Sequence, residues 1–313
     1  MKQFILCLLI TGSAHILYAQ DKTVDDIKNS ITGAKIKKDP NDTIPKVWKV
    51  GGLFTLTFNQ TALSNWSAGG DKSTLSFNSA LFAYAFYKKD KQSWDNTLDL
   101  AYGFVNTTSQ GHRKSDDRMD LVTKWGYDVG KNWYASALFN FRSQFAPGYS
   151  YQDNNTKTLT SNFLAPAYVL LSPGFDYKPN DQFSVFLSPA TLRWVIVKDD
   201  SLSSVGSFGV DSGKHVLTQF GAYVSINYVK KISSSTVYKG RLDLYSNYLH
   251  KPQNIDIYFT NALMVKISKL VTMNLTVNII YDDQTKTVNS DGTIGGPKPQ
   301  IMELMGIGLS IKI

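Results

Sequence analysis

Cysteine is nearly absent from the 313-residue sequence, which contains only Cys7. Cys7 lies within the opening stretch MKQFILCLLITGSAHILYAQ, where an early lysine, an apolar run and small residues before a cleavage point are typical of a secretory signal peptide. We therefore predict that residues 1–19 are removed and that the mature chain has no thiol. This excludes disulfides and cysteine-ligated metal sites, so backbone pairing and packing must hold the chain together.

Long apolar runs, glutamate and arginine are also scarce. Beyond the signal peptide, no stretch approaches the roughly 18 consecutive apolar residues that a transmembrane helix needs. Glu303 is the only glutamate among 25 acidic residues, and aspartate suits turns and strand ends better than helices. The net charge of +8 arises from Lys and Arg spread along the whole chain, which, with an export signal, argues against a nucleic-acid partner.

Residues 20–46 are polar, and alternation of apolar and polar side chains begins at residue 47 and continues to residue 313. We predict a polar periplasmic tail over residues 20–46, with a plug inside a barrel as the alternative. The alternation predicts about twelve strands, each with two chemically different faces. The predicted strands cover residues 47–59, 73–87, 93–106, 116–129, 133–144, 165–178, 182–197, 215–229, 238–248, 254–267, 271–282 and 300–313.

The stretch VTMNLTVNIIYD at residues 271–282 shows the ambiguity of a single strand. Its Val, Met and Leu side chains alternate with Thr and Asn side chains, so the two sets lie on opposite faces of the strand. In a soluble sandwich the apolar face would pack on a core. In an outer-membrane barrel the apolar face would face lipid and the Thr and Asn face would line a lumen. The connections favour the barrel. Short predicted connections alternate with long ones, such as residues 61–70, 107–114, 146–164, 198–214 and 283–299, with residues 250–253 as an exception.

We therefore predict an all-β fold: a closed, antiparallel, up-and-down transmembrane β-barrel of about twelve strands over residues 47–313, with both termini in the periplasm. A soluble periplasmic β-sandwich is the alternative. Aromatic residues beside the short turns support the barrel, because such rings form girdles at membrane interfaces. The predicted periplasmic girdle consists of Tyr87, Trp94, Trp125, Tyr127, Trp133, Tyr177, Phe183, Tyr228 and Tyr238.

Several stretches between residues 48 and 313 resemble a Bacteroidota outer-membrane β-barrel family catalogued as a domain of unknown function. The resemblance implies an outer-membrane location and a barrel fold, and it implies no substrate and no functional residue. The stretches are GG at 51–52, LSNWSAGG at 63–70, WDNTLDLAYG at 94–103, RKSDD at 113–117, QFAPGY at 144–149, FLAPAY at 163–168 and SPGFDYKPN at 172–180.

The polar lanes of the predicted strands carry charges of both signs. In a wide lumen these charges would sort solutes, whereas in a narrow lumen they would pair and fill the centre. A barrel of twelve strands lies between the filled and the open sizes, so the sequence leaves both open. The predicted lumen charges are Asp95, Asp99, Arg118, Asp120, Lys124, Arg142, Asp176, Lys239, Arg241, Asp243, Asp256 and Lys266.

The candidate catalytic and metal-binding residues lie near the predicted long loops. His112, His215 and His250 have no serine or aspartate at a catalytic motif spacing, so a hydrolase is the least favoured alternative. Pairs of aspartates could bind Ca²⁺ or Mg²⁺ weakly or could simply be turn residues. The pairs are Asp116 with Asp117, Asp199 with Asp200, and Asp282 with Asp283, and Trp66 in the loop TALSNWSAGG could stack on a sugar or fold into the mouth.

The predicted function is that of an integral protein of the Gram-negative cell outer membrane, a passive channel or uptake component for small polar solutes. The alternatives are a non-conducting accessory subunit of a larger outer-membrane complex and a hydrolase. The expected partners are outer-membrane lipid and lipopolysaccharide, the barrel assembly machinery and a further outer-membrane protein. The final strand ends in GIGLSIKI, which resembles the insertion signal of such barrels except for the terminal Ile313. No cofactor is expected.

Overall fold

A computed structural model describes residues 47–63, 72–151, 157–285, 293 and 295–312. The predicted signal peptide, the tail over residues 20–46, Trp66 and Ile313 lie outside these residues. In the described part of the chain, no helix combines the length and the apolar composition needed to cross a bilayer.

The described residues form fourteen strands. Twelve of them form one closed antiparallel sheet, in the order β1-β14-β13-β12-β11-β10-β9-β8-β5-β4-β3-β2, and β6 and β7 form a separate hairpin. This confirms the predicted barrel and its strand number. The strands are β1 (Trp48–Ala62), β2 (Ser73–Lys89), β3 (Gln92–Thr107), β4 (Gly111–Gly130), β5 (Trp133–Ser143), β6 (Gly148–Tyr151), β7 (Lys157–Ser161), β8 (Ala167–Asn180), β9 (Phe183–Ile196), β10 (Val216–Lys231), β11 (Thr236–Asn247), β12 (Ile255–Lys266), β13 (Val271–Tyr281) and β14 (Gln300–Lys312).

Pairing between the first and the last strand closes the barrel. Thr55 lies opposite Ser310, and Leu56 lies opposite Leu309. The Ser310 hydroxyl lies 3.1 Å from that of Thr55 and 2.6 Å from that of Thr272 on β13, so three strands are linked by side chains as well as by the backbone. Closure leaves the sheet without an edge, so the strands satisfy one another's backbone hydrogen bonds.

Each strand has an apolar outer face and a polar or mixed inner face. The exterior of β14 shows this clearly, because every second side chain from Ile301 to Ile311 except Glu303 is apolar and more than half exposed. On β13 the strand register places Thr272, Asn274, Thr276 and Asn278 on the inner face. An apolar exterior around a polar interior reverses the arrangement of a soluble protein.

The barrel has two different ends. At the short-turn end, pairs of strands are joined by residues 90–91, 131–132, 181–182, 232–235 and 267–270. At the long-loop end, four connections have ten or more residues, namely residues 63–72, residues 144–166 with the β6–β7 hairpin, residues 197–215 and residues 282–299. The connection over residues 197–215 contains α1 (Asp200–Ser204) and a 3₁₀ helix (Ser207–Gly209), neither of which the sequence predicted.

The predicted long connection over residues 107–114 is wrong. β3 and β4 continue their pairing past the expected strand ends, so only residues 108–110 join them. His112 pairs with Asn106 and contacts the Phe104 ring in a tilted arrangement, with 4.8 Å between ring centroids. The polar run GHRKS hid this extension, because it lacks the apolar lane that marks a membrane-facing strand.

Aromatic rings cluster on the exterior at the short-turn end. Trp94 lies opposite Trp125, and both are 44% exposed. Trp133 contacts Tyr177 with 4.9 Å between centroids. Trp48, which the sequence analysis did not include, lies 5.1 Å from the Tyr87 ring and 6.0 Å from the Trp94 ring.

A substitution at Gly308 tests the seam, the pairing of β1 with β14 that closes the barrel. A β-carbon at this position would lie 2.2 Å from the backbone oxygen of Leu56 on β1, so a side chain would force the seam apart. We expect Gly308→Val to lower the free energy of unfolding by about 1–3 kcal/mol. Urea titration of the heat-modifiable gel band measures this. Ile307→Val, one position away on the exterior, is the control, and an unchanged midpoint for Gly308→Val would contradict the close approach.

Candidate functional site: the barrel interior

One half of the interior is filled with side chains. Leu138, Leu170, Phe186, Tyr223 and Tyr245 form a buried cluster, and each is at most 6% exposed. These residues come from β5, β8, β9, β10 and β11, which are consecutive around the barrel. We call the interior face of these five strands the packed half.

A network of ion pairs crosses the barrel beside this cluster. The carboxylate of Asp243 on β11 accepts hydrogen bonds from the hydroxyls of Tyr223 and Ser225 at 3.0 and 2.7 Å. It also lies 2.9 Å from Arg241 and 3.3 Å from Arg142 on β5. Asp243 is 4% exposed, so its charge is compensated by two guanidinium groups rather than by bulk water.

Asp120 on β4 joins the same network from the opposite wall. Its carboxylate lies 3.2 Å from Arg142 and 3.6 Å from Arg241, and it accepts a hydrogen bond from Asn140. Arg241 therefore connects β11 with β4, which is five strands away around the closed sheet of twelve. This network is a septum of side chains across the lumen.

Further ion pairs lie on either side of the septum. Towards the short-turn end, Asp176 lies 2.5 Å from Lys124 and 3.3 Å from Lys178, which also lies 2.7 Å from Asp95. Arg118 and Asp99 pair at 3.1 Å. The predicted lumen charges that lie on the interior face by register thus pair mainly with one another.

Arg193 was missed by the sequence analysis. It lies 2.6 Å from Asp256, bonds the Gln219 side chain and stacks at 4.1 Å from the Tyr245 ring. The pairing of β9 with β10 shifts register between Gly221 and Tyr223, so β9 contains a bulge before Arg193. A bulge reverses the alternation of inward and outward residues, so counting by twos from Phe186 does not find Arg193 on the inward side.

Lys239 and Lys266 differ from the other predicted lumen charges. Among the described residues, neither ammonium group forms an ion pair with a carboxylate. Lys239 lies 4.6 Å from the Phe82 ring of β2, across the barrel. Lys266 lies at the end of β12 next to the short turn, where its backbone amide donates to Ser235.

The long-loop connection over residues 197–215, which we call the mouth cap, covers the packed half. Its Val197, Leu202 and Val210 form a buried cluster with Ala165 and the strand residue Val195. Tyr168 and Leu217, on the interior lanes of β8 and β10, pack against that cluster. The mouth cap therefore seals the packed half at the long-loop end.

The predicted aspartate pairs have roles in anchoring loops. The Asp117 carboxylate accepts the backbone amides of Phe145 and Ala146 at 2.8 and 2.9 Å. Hydrogen bonds from Asn162 and from the backbone amide of Leu202 lower the pKa of Asp199, the N-cap of α1.

The remaining members of these pairs are dispersed. Asp116 is 7% exposed, whereas the Asp200 side chain is almost fully exposed. Asp282 accepts the amide of Gln284, and the amide of Asp283 donates to Asp256. Within the described residues, no group of three or more His, Cys, Asp or Glu side chains could hold a metal ion.

Of the three histidines, His215 has the most defined surroundings. Its Nδ1 lies 2.8 Å from the backbone oxygen of Val197, and its Nε2 lies 3.6 Å from the Asp200 carboxylate. Both ring nitrogens face oxygen atoms that are not nucleophiles, so this imidazole is not placed to activate a hydroxyl. His250 lies in the turn after β11, where its backbone amide donates to the Asn247 carbonyl.

The other half of the interior is lined by small polar residues. We call the small polar and glycine residues on the interior face of β13, β14, β1 and the first half of β2 the polar wall. Further along β2 the interior side chains are the aromatic Phe82, Tyr84 and Phe86. The side chains of the polar wall are short, and many of them are partly exposed, in contrast to the packed half. The polar wall includes Thr55, Thr57, Asn78, Thr272, Asn274, Thr276, Gly306, Gly308 and Ser310.

The strand pairing and the two faces of the sheet together define a closed antiparallel β-barrel whose exterior is apolar and whose interior is partly filled by side chains. Residues 58–149 match a family described as "Protein of unknown function (DUF3078)". No curated protein matches the sequence significantly.

Solved barrels are similar at low identity. An outer membrane channel from Pseudomonas putida F1 is 13% identical, with a TM-score of 0.38 over 88% of this chain and 100% of that chain. The NanC porin is 11% identical, with a TM-score of 0.35 over 82% of this chain and 98% of that one. Outer membrane phospholipase A from Escherichia coli is 11% identical, with a TM-score of 0.35 over 90% of this chain and 97% of that one. Similarity at this level transfers no activity.

Asp243 is the residue on which the septum depends most. Asp243→Asn keeps the shape of the buried side chain but leaves two partly buried guanidinium groups short of a negative charge. We expect the free energy of unfolding to fall by about 3–5 kcal/mol. Guanidinium chloride titration followed by tryptophan fluorescence measures this loss. Asp181→Asn, in an exposed turn, should change it by less than about 0.5 kcal/mol, and equal effects of both variants would argue against the septum.

Proposed function

We propose that this protein is an outer-membrane β-barrel that conducts small polar solutes passively along the polar wall. Its apolar exterior suits contact with hydrocarbon, and a closed sheet is one of the two structures that can satisfy every backbone group in a bilayer. The aromatic rings at the short-turn end suit the level of the lipid headgroups. Outer-membrane lipid and lipopolysaccharide are then its immediate surroundings.

One observation carries the proposal of conduction: the interior is packed unevenly. Arg, Lys and Tyr side chains close the packed half, whereas most residues of the polar wall, such as Thr55, Asn274 and Thr276, are short and partly exposed. Short hydroxyl and amide side chains can replace part of the hydration shell of a polar solute without binding it strongly. A narrow path along one wall would pass small solutes and exclude larger ones.

The orientation follows from the two ends. Bacterial outer-membrane barrels have short periplasmic turns and longer extracellular loops. In the described part of the chain, β1 begins at the short-turn end, opposite Tyr87, and β14 ends there. We therefore assign the short-turn end to the periplasm, where the barrel assembly machinery would engage the last strand. The mouth cap then faces the cell exterior.

Location is tested by fractionation of the native producing cells. We expect the protein in the outer-membrane fraction, extractable with detergent but not with alkaline carbonate or high salt. Unboiled samples should migrate differently from boiled samples on a gel, since a closed barrel resists unfolding by detergent. Recovery in the soluble periplasmic fraction would overturn the proposal.

Conduction is tested with single cysteines in a Cys7→Ser background. Thr276→Cys places a thiol on the polar wall, and Ser172→Cys places one in the packed half, where Ser172 is 0% exposed. In planar bilayers, we expect a bulky charged methanethiosulfonate to reduce single-channel current through Thr276→Cys by about half or more, because the reagent narrows the path. The current through Ser172→Cys should not change.

Two results would contradict the channel. Equal modification of the two thiols would show that the interior is not divided as described. Absence of current from barrels with the heat-modifiable migration of folded protein would support a second candidate, a non-conducting accessory subunit. The septum and the mouth cap favour that candidate, since both place bulky groups across the lumen.

A further inference from the structure

A cavity of ≈ 130 Å³ lies inside the barrel at the short-turn end. Its lining includes the polar Asn180 and Gln182 at the turn between β8 and β9 and three apolar side chains, Phe86, Leu138 and Phe186. Each of these three apolar side chains is at most 4% exposed, and we call them the apolar floor. The cavity therefore combines polar groups with an apolar surface, as most small-molecule sites do.

Four cationic side chains line this cavity: Lys124, Lys178, Lys239 and Arg241. The carboxylates of Asp176 and Asp95 neutralise Lys124 and Lys178 at 2.5 and 2.7 Å. Arg241 belongs to the septum, in which Asp120 and Asp243 match Arg142 and Arg241 one for one. Lys239 is thus a surplus cation among these groups.

The surroundings of Lys239 leave its ammonium group available to a ligand. Asp99, an acid near it, lies 3.1 Å from Arg118 and is matched by that guanidinium group. The contact of Lys239 with the Phe82 ring is a cation–π interaction, which is weaker than an ion pair with a desolvated carboxylate. Asn227 also lines the cavity and offers an amide hydrogen-bond donor.

We infer that this cavity binds a small organic carboxylate with an apolar body, whose anionic group pairs with Lys239 and whose body lies on Phe86, Leu138 and Phe186. One surplus positive charge selects a monoanion. An inorganic anion has no apolar part that could contact the apolar floor, so the cavity favours an organic carboxylate. The site goes beyond the proposed channel, because a barrel that conducts nothing could still bind the ligand.

The probe is 4-fluorobenzoate, titrated into the full barrel in a neutral detergent and followed by ¹⁹F NMR. We expect saturable binding to the wild type. Lys239→Gln should weaken it about tenfold or more, the range for losing a hydrogen bond to a charged group. Lys239→Arg, which keeps the charge, should bind within about threefold of the wild type. Gel migration verifies that each variant is folded.

Two controls separate this site from general attraction. Lys269→Gln removes the same charge from an exposed turn at the same end, and its affinity should equal that of the wild type. The neutral analogue 4-fluorobenzyl alcohol should bind weakly, and equally to wild type and Lys239→Gln. Equal losses in Lys239→Gln and Lys269→Gln, unchanged binding in Lys239→Gln, or equal affinity for acid and alcohol would each overturn the inference, whatever the conductance.

Discussion

Pairing of β1 with β14 is the interaction on which the rest of the structure depends. The last strand must reach the first in register, as it does where Thr55 meets Ser310. Without this seam, two edges of unpaired amides and carbonyls would remain, at a cost of several kcal/mol per group in hydrocarbon. Closure also separates the two faces of every strand, so that an alternating sequence becomes an apolar outside and a polar inside.

Closure creates a second constraint, because twelve strands enclose more space than ordinary side chains fill from all directions. The side chains fill this space unevenly around the barrel. Long Arg and Tyr side chains from β9, β10 and β11 meet partners from β4, β5 and β12, while β13, β14, β1 and the first half of β2 contribute mostly short residues. Burial of the charges is tolerated because acid and base are matched within the septum, as in Asp243 between Arg142 and Arg241.

Strand number and alternation could be predicted from the sequence because both depend on local periodicity. The predicted bounds of β13, residues 271–282, differ from the observed Val271–Tyr281 by one residue. What the sequence could not reveal involved distant residues or broken periodicity. The bulge in β9 hid Arg193, the polar extension of β3 and β4 was taken for a loop, and α1 depends on tertiary contacts of Leu202.

The ion pairs inside the barrel also could not be predicted from the sequence. Their positions on the polar lanes follow from counting by twos, but their pairing does not, because partners such as Arg142 and Asp243 are 101 positions apart. Whether an interior lysine is neutralised is therefore a property of the closed barrel alone. Lys178 and Lys239 look alike in sequence, and only the fold gives the first a carboxylate and leaves the second without one.

The arrangement along the barrel axis separates binding from conduction. The mouth cap packs on interior residues of β8, β9 and β10, so it seals the packed half at the long-loop end. The cavity beside Lys239 lies on the other side of the septum, among residues of the short-turn end. A ligand in this cavity would exchange with the short-turn side, while a solute moving along the polar wall would pass beside the septum. If both proposals hold, one interior would bind a carboxylate and pass a second solute independently.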